Sequence, residues 1–176
     1  MDDHTALNRA KRPRSVAAGP YGHPFHPILI TIPIGAWISS LVFDLIALFV
    51  DDPEPYVLGA QVLIMIGIIG GLLAAIFGFI DFTGIASNTP AKRTALIHLS
   101  LNLAVVVLYL VNYFVRAGSD HDSVNVVGLV LSIIALIMLS VSGYLGGKLA
   151  YTYGVRVAEE DTQAEGFADH GRSRAR

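Results

Sequence analysis

Six histidines occur in a chain that has no cysteine. Three of them, His23, His26 and His98, stand at the mouths of long apolar runs. In "GHPFHPILITIP" two imidazoles are three residues apart, and each is followed by proline. Proline fixes its own φ and drives the residue before it out of the α region. The spacing therefore predicts a stiff, polyproline-II-like arm over residues 23–26. With three residues per turn, both imidazoles face the same way, about 9 Å apart along the chain. Pro27 is suited to open the helix that follows, and Pro33 and Gly35 to kink it.

His98 lies one to two turns into another apolar run, and Asn102, four residues on, shares its helix face. Asp81 closes the run before that one. Imidazoles on facing helices suit a metal ion or a b-type haem. The candidate ligands are His26 and His98, with His23 as an alternate and Asp81 as the carboxylate that would fix a histidine tautomer. The lack of cysteine excludes c-type haem and cysteine-held iron–sulfur clusters. A plainer reading fits equally: His98 bonds to Asp81, Asn102 or a main-chain carbonyl, and His23 and His26 cap loops. A third option places an anion, such as a lipid head group, at helix N-termini near Pro27 and Pro90, beside Lys92 and Arg93.

Asp44 belongs elsewhere. It follows His26 by roughly 27 Å of helix, and its expected neighbours are Gln61, Tyr109, Asn112 and Arg116. A carboxylate inside a bilayer is costly unless paired, so it is either a structural partner of Arg116 or a tyrosine, or a proton-exchanging group. No nucleophile, Walker or dinucleotide motif accompanies these residues.

The elements that must position them are helices in lipid. Of 176 residues, 53% are hydrophobic and 15% charged, and the mean hydropathy is +0.59, whereas soluble domains carry about 25% charged residues. Four runs, 27–50, 57–80, 94–115 and 124–146, each reach the roughly 20 apolar residues a span requires. They predict an all-α, integral-membrane four-helix antiparallel bundle over 21–157. Residues 1–20 read as a mobile basic segment and 158–176 as a disordered tail. Of 12 Lys and Arg, only Arg116 lies in the two loops that follow the first and third runs, so both termini are expected in the cytoplasm. Thr89 and Pro90 predict a capped start to the third helix. Gly67-xxx-Gly71, Ala74-xxx-Gly78 and Gly143-xxx-Gly147 suit close helix packing, or room for a flat cofactor. The expected surroundings are a bacterial inner membrane and its lipid, with no nucleic acid. A homo-oligomer or a larger membrane complex fits equally.

The ordered motifs "GHPFHP…IPIGAW…D", "GFIDFTGI", "H…N" and "SGYLGGKLAYTYGV" resemble a bacterial family of four-helix membrane proteins catalogued as a domain of unknown function. The resemblance covers 22–157, and His23, His26, Asp44, Asp81, His98 and 143–154 are the motif positions. That domain is sometimes fused to Rieske-type or c-type cytochrome modules. The resemblance thus implies electron transfer, here with a separate redox protein as partner.

Overall fold

The computed structural model describes residues 3–12, 19 and 23–167. Its helices are α1 (Asp3–Lys11), α2 (Phe25–Leu29), α3 (Thr31–Ala47), α4 (Glu54–Gly84), α5 (Pro90–Ala117), α6 (Val126–Tyr151) and α7 (Glu160–Glu165). There is no strand among the described residues. Four helical stretches are long and apolar enough to cross a membrane: Phe25–Ala47, Glu54–Gly84, Pro90–Ala117 and Val126–Tyr151.

The first of these is broken at Ile30, and Pro33 supplies the reason. Without an amide hydrogen it leaves the Leu29 carbonyl no helical partner. The expected extended arm is only half present. Pro24 is extended, with φ −71° and ψ 134°, but Phe25 and His26 are already helical. Pro27 therefore lies inside the first turn instead of opening the helix. That position is tolerated because first-turn amides have no intrahelical partner to lose. The other starts follow local chemistry. Thr89 accepts from the Lys92 amide at 3.1 Å, as its sequence predicts, and Asn125 accepts from the Gly128 amide at 2.8 Å.

The buried faces repeat at intervals of three and four residues, the spacing of left-handed bundle packing. On α3 they run Pro33, Trp37, Ser40, Asp44 and Ala47. On α5 they include Ala95, Val105, Tyr109, Asn112 and Arg116. Glycines on α4 receive the side chains of α2 and α3. A Cβ built on Gly59 would meet Phe43, on Gly67 Trp37, on Gly70 Ile32, and on Gly78 His26. The numbers fall on α4 as they climb on α3. At mid-depth Trp37 stacks on Tyr109 with ring centroids 4.2 Å apart and 8° between planes. Ile64, Ile68, Val105 and Ala135 complete that apolar layer. Side chains facing outward are apolar too, among them Val42, Val62, Ile69, Leu103 and Ile137, as a lipid-facing surface requires.

Both ends carry short helices. Residues 3–11, expected to be mobile, form α1, and the Ala10 carbonyl accepts from the Arg156 amide at 3.1 Å. Glu160–Glu165, expected to belong to a disordered tail, form α7. Residues 1–2, 13–18, 20 and 168–176 of these segments lie outside the described residues.

Candidate functional site

His26 and His98 do come together. Their ring centroids are 6.3 Å apart with planes 88° apart. His26 Nδ1 lies 2.9 Å from the Ala74 carbonyl on α4. A carbonyl only accepts, so Nδ1 carries the hydrogen and donates. His98 Nδ1 lies 2.8 Å from the Ser142 carbonyl on α6 and donates in the same way. On its other side, His98 Nε2 lies 3.1 Å from the Asn102 amide nitrogen. That amide is a donor, so Nε2 accepts, which defines a neutral imidazole. Asn102 also donates to the His98 carbonyl at 2.9 Å. Glycines seat both rings, since a Cβ on Gly78 would come within 2.8 Å of His26 and one on Gly146 within 3.1 Å of His98.

His23 precedes α2 and is exposed, and Gly22 falls outside the described residues. Asp81 lies near the end of α4, within electrostatic reach of His26. It pairs with Arg156, Nε to Oδ1 at 2.9 Å. Among the described residues no group of three or more His, Asp or Glu side chains is placed to hold a metal. A metal shared by His26 and His98 would have only two protein ligands, and Asn102 would have to release His98 Nε2. The donor set present does not match a closed metal site.

A second polar network surrounds Asp44. The Arg116 guanidinium donates from Nη1 to Oδ1 at 2.7 Å and from Nη2 to Oδ2 at 2.6 Å. Its Nε donates to Asn112 Oδ1 at 2.8 Å. The Asn112 amide donates to the Gly128 carbonyl at 2.9 Å and to Ser132 Oγ at 2.8 Å. Asp44, Asn112 and Ser132 are 0% exposed and Arg116 is 1% exposed. A Cβ on Gly128 would lie 2.8 Å from Arg116 Nε, so only glycine leaves room for the fork. Arg116 and Asn112 are among the neighbours expected for Asp44. Gln61 is not part of this network, as its Oε1 instead accepts from His121 Nε2 at 3.0 Å. His121, whose loop position carried little signal in sequence, thereby ties the loop before α6 to α4.

The glycines decide between helix packing and cofactor space. Those on α4 are occupied by α2 and α3 side chains, which supports packing. The Gly143–Gly147 pair is a correction. A Cβ on Gly143 would meet nothing within 4 Å, and one on Gly147 only the Tyr151 ring. The α6 face that packs on α5 carries Gly128, Ser132, Ala135 and Ser142, together with Gly146 against His98.

Four helices long and apolar enough to cross a membrane, with their ionised pair Asp44–Arg116 buried between them, define a multi-pass membrane protein. The chain belongs to the DUF2231 family, described as predicted membrane proteins, whose model matches residues 22–159. No curated protein and no solved structure matches the chain.

Proposed function

We propose that this protein is a noncatalytic membrane module, a scaffold or subunit whose buried polar residues fix one packing of four antiparallel spans. One observation carries this reading. The hydrogen-bonding capacity of His98 is used within the bundle, Nδ1 on the Ser142 carbonyl and Nε2 on Asn102. Polar groups in lipid that are satisfied across helices act as registry devices. The charge bias supports a plasma-membrane orientation with both termini cytoplasmic, because the loops that follow α3 and α5 carry no lysine or arginine, Arg116 lying within α5. The descending Gly59, Gly67, Gly70 and Gly78 contacts along rising α2 and α3 positions support the antiparallel course.

A redox module with a b-type haem or a metal between His26 and His98 is the second reading. What favours it is that both imidazoles anchor Nδ1 on a carbonyl of another helix, the outer-shell arrangement of ligating histidines. In that case a separate redox protein would be the partner. Absorption spectra of the purified protein, oxidised and dithionite-reduced, with metal analysis of the same sample, separate the two. The scaffold reading predicts no Soret band and no stoichiometric metal from a haem-replete host. A Soret band abolished by His98→Ala would replace it with the redox reading.

A further inference from the structure

The two described ends of the chain meet at the Asp81 end of the bundle, in two layers of unequal strength. The inner layer is the segment that follows α6. Gly154 and Arg156 both adopt positive φ, +67° and +60°, which turns the chain back over the helix ends. For a non-glycine residue that conformation costs about 1 kcal/mol or more, so other contacts must hold Arg156 there. They are present. Its guanidinium pairs with Asp81, the two side chains being 8% and 12% exposed. Tyr153 and Val155 pack on Ile85, Ala95 and Leu149.

The outer layer is α1. Arg12 pairs with Glu159 at 2.6 Å, the side chains 72% and 36% exposed. Lys11 pairs with Glu160 at 3.7 Å, the lysine side chain 9% and the glutamate 85% exposed, so Arg12 is the cation of this layer that already faces solvent. The Ala10 carbonyl takes the Arg156 amide, and Leu7 and the Lys11 stem approach Gly154. Exposed ion pairs contribute about 0–1 kcal/mol each and are screened by salt. A lysine or arginine at an anionic membrane surface gains about 1 kcal/mol. α1 carries Arg9 and Lys11, with Arg12 directly after it, and precedes the first span by a short stretch of sequence. The two attractions are therefore matched in size, and the charge of the lipid decides between them.

We propose that α1 is a releasable arm that exchanges Glu159 and Glu160 for anionic lipid head groups, while the Asp81–Arg156 layer stays closed. The absence of cysteine makes the test direct. Spin labels on Thr5→Cys and Thr162→Cys, both exposed positions, report the distance between α1 and the C-terminal arm. A second labelled pair, Ser87→Cys and Ala158→Cys, reports the inner layer. The full chain is measured in phosphatidylcholine and in phosphatidylglycerol nanodiscs at low salt. The expected result is one short, narrow distance for the first pair in phosphatidylcholine, and a longer, broader one in phosphatidylglycerol. Glu159→Gln with Glu160→Gln lengthens it in phosphatidylcholine too, and the second pair stays unchanged throughout. An unchanged first distance in phosphatidylglycerol, a short distance retained in the double variant, or joint movement of both pairs overturns the proposal.

Discussion

Arg116 holds Asp44 through both nitrogens of its fork, at 2.7 and 2.6 Å, and so ties α5 to α3 across an interval of 72 residues. Both side chains are withdrawn from solvent, and Asn112 satisfies the guanidinium Nε. The charges are neutralised where they stand. That matters in a membrane, where an unpaired charge is expensive.

Removing one partner should be far worse than removing both. Asp44→Asn leaves an uncompensated buried guanidinium and is expected to cost about 3–5 kcal/mol. Asp44→Leu combined with Arg116→Met should lie close to the parent. Reversible unfolding in mixed detergent micelles measures both. Equal losses in single and double variants would mean that the pair contributes by shape alone.

The α4 and α6 glycines should respond in opposite ways to alanine. At Gly67 the new Cβ would collide with Trp37 Nε1, displacing the indole that donates to the Ile64 carbonyl at 3.3 Å. Overpacking of this kind costs about 1–3 kcal/mol. The chain contains one tryptophan, so its fluorescence reports the shift directly. Gly143→Ala meets open space and should be neutral or gain up to about 1 kcal/mol of helix propensity, with the emission unchanged.

Proton exchange at Asp44 predicts a measurable conductance, and the packing argues against one. The Trp37, Tyr109, Ile64, Val105 and Ala135 layer separates the Asp44 network from the histidines. Proteoliposomes bearing the parent and Asp44→Asn should show the same passive proton flux. A parent flux that the substitution removes would revive a transport role.

The lipid setting, the four spans and the Thr89 cap were legible in the sequence because composition, length and capping chemistry are local properties. Burial cost and depth marked Arg116 as one candidate partner of Asp44, beside a tyrosine or a proton-exchanging role, and the structure pairs the two. For His98, Asn102 and a main-chain carbonyl were legible as partners; which carbonyls His98 and His26 reach was not. Main-chain carbonyls of Ala74 and Ser142 leave no side-chain signature. The Asp81–Arg156 pair was not legible, because Arg156, seventy-odd positions away, reaches Asp81 only through a positive-φ turn. Glycine spacing marked packing faces on α4 but not on α6. There the three-and-four pattern of Gly128, Ser132, Ala135 and Ser142 was the better guide.

Loss of His98 should weaken the bundle without removing any chromophore. His98→Ala leaves the Ser142 carbonyl without its imidazole donor and is expected to cost about 1–3 kcal/mol, measured in the same micelle unfolding assay. Asn102 keeps its bond to the carbonyl of residue 98, so the helix itself persists.

The most direct test is the nitrogen-15 spectrum of the imidazoles in the folded, full-length protein, with and without a chelator. His98 should appear as a neutral ring protonated at Nδ1, with Nε2 unprotonated and hydrogen-bonded, and the chelator should change nothing. An Nε2 resonance displaced by metal or haem ligation, or a ring protonated at Nε2, would contradict a bundle whose histidines serve its own packing.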